Sequence, residues 1–190
     1  MSTEYDAIAE QYAKYRTIEV GMEPTLRWLN GLSPKGTILD LGCGSGKPLA
    51  QLLEEKNFKV TGVDSSPRMI EFCNSNLNNA ELICTPVQEY SFPDSHFDGV
   101  LSWGLMFLLS ESDQIDLLFN VAKMLKSQGS FLFTSPPMHC VWEDILSKQA
   151  SISLGREDYI NYLAEVGLEI QWEWEEPKYQ NYYYSAIKKA

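Results

Sequence analysis

Asp40-Leu41-Gly42-Cys43-Gly44-Ser45-Gly46 sets an acid two residues ahead of three glycines spaced two apart, a layout suited to holding a ligand against backbone. Glycines at 42, 44 and 46 let the chain turn sharply and let a ligand approach with no Cβ in the way. A helix after them would offer its unpaired N–H groups to the same spot. The pattern predicts a nucleotide-like ligand, and counting narrows the type. A phosphate-gripping P-loop needs a glycine at 41 and a Ser or Thr at 48, where this chain has Leu41 and Pro48. The dinucleotide fingerprint G-x-G-x-x-G needs its third glycine at 47, where this chain has Lys47, so it is met only in part. An acid at the mouth of the loop repels a pyrophosphate and favours a ligand that carries an ammonium group. A glycine-rich turn with a purely structural job is the plain alternative.

A second acid, Asp64, lies 18 residues after Gly46 at the end of the apolar run from Lys59 to Val63. At the tip of a second strand it is placed to accept hydrogen bonds from two ribose hydroxyls. It could instead cap the next helix together with Ser65 and Ser66. Two loop-like but apolar stretches, Ser102 to Phe107 and Pro136 to Trp142, are the candidates for a second binding pocket. Imidazole is the side-chain type that exchanges protons near neutral pH, which makes His139 the default candidate base, although a lone His in such a loop is more often a spectator. Trp103, Trp142 and the run Tyr182-Tyr183-Tyr184 could wall an amine or another small acceptor with an apolar body, while alternating strand aromatics more often fill a core.

These residues need a scaffold, and the apolar patterns alternate between strand and helix in the manner of a mostly parallel sheet with helices on both faces. One helix is expected from about Pro24 through Leu26, Leu29 and Leu32, closed by Gly31 and Pro34. The first strand is Thr37 to Leu41; Pro48 opens a helix with a stripe of Leu49, Leu52 and Leu53; the second strand runs from Lys59 to Val63. A helix from near Pro67 should bury Met69, Ile70, Cys73 and Leu77, and strands follow at 80–84 and 97–102. Ser110 or Ser112 can cap a helix whose Ile115, Leu118, Ala122 and Leu125 recur at helical spacing until Gly129 ends it before a strand at 130–134. A last helix spans about Arg156 to Val166. The alternation of Leu168 to Trp174, the turn Glu176-Pro177-Lys178 and the return along Asn181 to Lys188 read as a terminal antiparallel hairpin.

Asp40 followed by alternating glycines resembles motif I of the class I S-adenosylmethionine (SAM)-dependent methyltransferases. SAM carries the ammonium group that Asp40 would favour. The resemblance extends from Tyr5 to Lys188 and implies a three-layer, doubly wound α/β fold. Its mostly parallel seven-stranded sheet would be finished by a C-terminal antiparallel hairpin, with the last strand inserted beside the fifth. It implies transfer of a methyl group from the sulfonium of SAM, by in-line displacement, to a small-molecule N, O or C nucleophile, leaving S-adenosylhomocysteine (SAH) and using no metal. Cofactor contacts then fall on Asp40, Gly42, Cys43, Gly44, Asp64, Ser65, Met69 and Ser102. Residues 1–22 resemble a lid helix, with Tyr12 and Arg16 closing over the methionine end. The acid that usually takes the adenine amino group is replaced by Pro86, so Val87 and Gln88 are the expected substitutes. The acceptor would meet Trp103, His139, Trp142 and Tyr183. Ser135-Pro136-Pro137-Met138 is similar to a motif of amino-methylating nucleic-acid enzymes, but it follows the fifth strand rather than the fourth and Met138 stands where an aromatic would stack on the base. The rival readings are a SAM-binding regulatory module that does not turn over and a nucleotide- or NAD-linked Rossmann-like enzyme.

Composition agrees with one domain over 1–190: 190 residues that are 44% hydrophobic can bury one substantial core. The polar start and the lack of a long apolar run lead to the expectation of a soluble, cytoplasmic protein without a membrane span. Cys43, Cys73, Cys84 and Cys140 are scattered with no C-x-x-C pair, so free thiols and no metal are expected. A net charge of −11 works against binding a phosphate backbone and makes nucleic acid an unexpected substrate. The sequence does not distinguish a monomer from a homodimer.

Overall fold

The computed structural model describes residues 6–10, 12, 20–91, 93–144 and 147–190. Nine strands form two sheets among these residues: β1 (Thr37–Leu41), β2 (Lys59–Asp64), β3 (Glu81–Cys84), β4 (Phe97–Ser102), β5 (Leu125–Thr134), β6 (Cys140–Glu143), β7 (Ala150–Ser153), β8 (Leu168–Glu176) and β9 (Asn181–Lys188). The main sheet has seven strands in the order β3-β2-β1-β4-β5-β9-β8. The first four pairings are parallel, and β9 runs antiparallel to both β5 and β8. The strand order therefore reverses between β1 and β4, which puts a crevice beyond the C-terminal end of β1, where ligands bind in open α/β sheets.

Successive residues of each strand point to opposite faces, and both faces are buried. Leu39, Leu41, Val100, Phe131, Phe133 and Tyr184 pack on one side against α4 (Glu111–Met124) and α5 (Arg156–Glu165). Ile38, Leu101, Leu132 and Tyr183 pack on the other against α1 (Met22–Leu29), α2 (Leu49–Glu55) and α3 (Pro67–Asn76). This is the expected three-layer fold with its terminal hairpin. Tyr183 and Tyr184 are both fully buried, on opposite faces, and Tyr184 stacks on Phe133 with ring centroids 4.7 Å apart. The tyrosine run fills the core rather than walling a pocket.

Two expectations need correction. The helix expected to reach Gly129 ends at Met124, and Leu125 already pairs with Phe97 as the first residue of β5. Leu125 is buried in the strand, so it extended the apolar helical spacing by coincidence. Gly129 serves a tight approach in the irregular part of β5, where an added Cβ would lie 2.9 Å from the Lys126 carbonyl oxygen. The stretch Pro136 to Trp142 is also not all loop: Cys140–Glu143 pairs antiparallel with Ala150–Ser153 as a small second sheet. Strands this short carry too little alternation to stand out in sequence.

Among the described residues no helix is long and apolar enough to cross a membrane. Beneath α1, Trp28 donates its indole N–H to Ser130 Oγ at 2.9 Å and lies flat against Gly99, where a Cβ would approach Trp28 and Leu32 to 2.8 Å. Gly99→Val should therefore overpack this seam and cost about 1 to 3 kcal/mol of stability. Urea denaturation should show a lower midpoint with an unchanged slope.

Candidate functional site

At the switch point, β1 ends in the glycine loop and β2 ends in Asp64. The loop is pinned to its neighbour: the Gly42 and Cys43 N–H groups donate to the Val63 carbonyl at 2.8 and 3.1 Å, and the Gly44 N–H donates to Asp64 Oδ2 at 2.8 Å. Gly42 and Gly44 take φ of +72° and +54°, a region that disfavours side chains. Asp64 Oδ1 also accepts the Ser66 N–H at 2.9 Å, and Ser66 caps α3 by accepting from the Met69 N–H. Burial raises the Asp64 carboxyl above the usual carboxylate range, against the pull of the Ser66, Gly44 and Ser65 N–H groups that favour its charged form.

An elongated cleft runs across these strand ends in two chambers. The first, about 660 Å³ with its open mouth, holds Asp64, Ser65 and Met69 on one wall, Pro86, Val87 and Gln88 on the next, and Gly104, Leu105, Leu108 and Leu109 opposite. The second is bounded by Asp40, the loop residues 42–47, Leu49 and Ala50. Tyr12, Gly42, Gly44 and Trp103 border both. Asp40 is 4% exposed at the base of the second chamber. Among the described residues a Cβ added at Gly44 would meet only the Tyr12 ring, at 3.9 Å, so this glycine leaves room between the loop and that ring.

Residues 6–10 and 12 are helical, and Tyr12 borders both chambers. Asp6 Oδ1 accepts from Ser66 Oγ at 2.8 Å and from the Arg68 N–H at 3.0 Å, and Glu10 pairs with Arg68. These donors hold the Asp6 carboxyl below the usual range, with the Arg68 N–H the larger influence. The segment is thus tied by a carboxylate to the positive end of α3, which brings Tyr12 over the loop. Nothing in the sequence reading singled out Asp6.

The structure gathers Tyr12, Asp40, Gly42, Cys43, Gly44, Asp64, Ser65, Met69, Val87, Gln88 and Trp103 around one cleft. Arg16 lies outside the described residues. Cys43 is a packing residue: its contact with Cys73, then burial and the nearby acids, push its thiol well above the ordinary value. Gln88 reaches Asp113, with Nε2 3.3 Å from Oδ2. Four expected contacts fall elsewhere. Ser102 is fully buried at the end of β4 and lines neither chamber. Tyr183 lies behind Trp103, whose indole N–H donates to its hydroxyl at 3.1 Å. Trp142 belongs to the β6–β7 hairpin and packs on Phe107 at 5.4 Å, and His139, just ahead of β6, is exposed with Nδ1 3.2 Å from the Leu154 carbonyl oxygen. Leu105 falls in the stretch Ser102 to Phe107 expected to line a pocket, whereas Leu108 and Leu109 were not foreseen, because the short 3₁₀ turn Met106–Leu108 has no sequence periodicity of its own.

Residues 38–129 match the family described as "Methyltransferase domain". The protein YqeM of Bacillus subtilis strain 168, provisionally named a methyltransferase, is 34% identical over 113 residues, covering 56% of this chain and 45% of YqeM. The demethylmenaquinone methyltransferase of Thermotoga maritima is 30% identical over 134 residues, 66% of this chain and 56% of that protein. The chain thus spans about half the length of the curated relatives it matches. The crystal structure of Burkholderia thailandensis 1,6-didemethyltoxoflavin-N1-methyltransferase, with 1,6-didemethyltoxoflavin and SAH bound, has the same fold. Its TM-score is 0.76 at 16% identity, over 100% of this chain and 91% of that one. A valine at 44 would fill the gap under Tyr12. Gly44→Val should abolish SAH binding in calorimetry while thermal unfolding stays cooperative.

Proposed function

We propose that this chain is a class I SAM-dependent methyltransferase that moves a methyl group from SAM to a small-molecule acceptor at the cleft between β1 and β4. The observation that carries this reading is the pairing of two acids at adjacent strand ends, Asp40 and Asp64, across a loop whose Gly44 leaves room for a ligand. The residues fit the donor: Asp64 would accept from the ribose hydroxyls, Met69 and Val87 would border the adenine, and Asp40 would favour the ammonium of the amino-acid end.

When bound, SAM supplies an electrophilic methyl group on a positively charged sulfur, open to direct displacement. The task left to the protein is to align and to keep dry, and alignment of this kind is worth roughly 7 to 11 kcal/mol of barrier. Tyr12 closes the top of the cleft, and Trp103, Leu105, Leu108 and Leu109 supply an apolar side that excludes water. This apolar side, together with the net charge of −11, favours a small acceptor with an apolar body over a nucleic acid. The Burkholderia enzyme of the same fold, which holds 1,6-didemethyltoxoflavin together with SAH, supports a small-molecule acceptor. His139 is given no proton-transfer role, since it faces solvent just ahead of β6.

Asp64→Ala should lower SAH affinity by about 1.5 to 3 kcal/mol, the scale of a hydrogen bond to a charged group. Calorimetric affinity equal to that of the unmodified protein would refute the ribose role. Methyl-labelled SAM incubated with a panel of amines, phenols and carbon acids should pass label to at least one acceptor. Tight binding without transfer to any of them would mark the chain as a SAM-binding module instead.

A further inference from the structure

The two chambers meet at a junction bordered by Tyr12, Gly42, Gly44 and Trp103. On the function proposed above, from which this inference follows, adenosine takes the Asp64 side and the amino acid takes the Asp40 side. The sulfur that joins them then falls at the junction. Glycines bring no side chain, so among the described residues the side chains shared by both chambers are two aromatic rings, those of Tyr12 and Trp103. SAM carries a positive charge on that sulfur and SAH does not. An aromatic face attracts a cation and is nearly indifferent to a neutral thioether.

Trp103 is held by a chain of hydrogen bonds that leads away from the cleft. Its Nε1 donates to the Tyr183 hydroxyl at 3.1 Å, and that hydroxyl donates to Glu176 Oε2 at 2.9 Å. The same carboxylate accepts from Asn181 Nδ2 at 3.2 Å and from the Gly21 N–H at 3.3 Å. Trp103 is 8% exposed and Tyr183 fully buried, while Glu176 at the far end is half-buried. With an acceptor-only carboxylate at its end, the phenol must donate outward to Glu176 and turn its lone pairs to the indole N–H. Each bond in such a chain polarises the next, drawing electron density toward the indole ring. Gly21, at φ +76°, fits against both rings: a Cβ there would lie 3.2 Å from the Tyr183 hydroxyl and 3.3 Å from Trp103 Cε2. Glu176 is the last residue of β8, far in sequence from the glycine loop, and a role confined to hairpin stability would not need the Trp103 link.

We propose that Trp103 recognises the sulfonium of SAM, and that Tyr183 and Glu176 are its positioning residues, so that the cleft prefers SAM to SAH.

The test is separate calorimetric titration of SAM and SAH into the unmodified chain and into Trp103→Leu, Tyr183→Phe and Glu176→Gln, with a thermal melt for each. Trp103→Leu should weaken SAM binding about tenfold and leave SAH within about twofold, the difference expected for losing a desolvated cation–π contact. Tyr183→Phe and Glu176→Gln should each shrink the SAM-to-SAH preference by about threefold in the same sense. They carry the test alone if Trp103→Leu does not fold. Equal weakening of both ligands, or an unchanged preference, would reduce the relay to a packing feature and overturn the proposal. An unmodified chain that binds neither ligand would sink the methyltransferase reading and this inference with it; one that binds both while the preference never shifts would sink only the inference.

Discussion

One half-buried carboxylate organises this site. Asp64 ends β2 where the sheet order reverses, and it accepts the N–H groups of Gly44 and Ser66, tying the glycine loop after β1 to the start of α3. Burial opposes its charge, as the raised carboxyl shows, and the backbone donors offset only part of that penalty. A carboxylate so placed gains from any further donor that arrives, and a ribose brings two hydroxyls. The site is therefore preorganised by the same interaction that fixes the loop.

The remaining parts of the cleft depend on how closely backbone can approach around that point. Gly62 in β2 lies under the loop, where a Cβ would come within 3.0 Å of Cys43 Sγ, and Gly46 packs on Cys73, where a Cβ would come to 2.9 Å. These contacts let β1, β2 and α3 converge tightly enough for Asp40 and Asp64 to serve one ligand. The residues 6–10 complete the arrangement from the other side, because Asp6 uses the donors at the start of α3 that Ser66 leaves accessible. The residues 6–10, the glycine loop and the helix start are thus joined through one short stretch, Asp64 to Arg68.

The layers and strand order were legible because each long element carries its own period: Ile38 and Leu39 point to opposite faces, as do Leu132 and Phe133, and turn residues separate the units. The donor half of the cleft was legible for a related reason, since Gly42, Gly44 and Asp64 act through backbone conformation and strand ends that local sequence encodes. The other half was legible only in part: the stretch Ser102 to Phe107 was singled out and supplies Trp103 and Leu105, but their surroundings were not. Trp103 and Tyr183 are 80 residues apart, and only the insertion of β9 beside β5 brings the phenol behind the indole. His139 and Trp142 looked like acceptor residues until the β6–β7 pairing turned the segment after His139 into a hairpin. Helix length after Ser110 was misread at Leu125 because burial in a strand and burial on a helix face demand the same residue type.

A crystal structure with SAH bound tests the central claim most directly. The account predicts ribose hydroxyls within hydrogen-bond distance of the Asp64 carboxylate, the homocysteine amino group on the Asp40 side, and the sulfur between Tyr12 and Trp103. Ligand density away from the β1–β4 crevice, or a ribose turned away from Asp64, would contradict it.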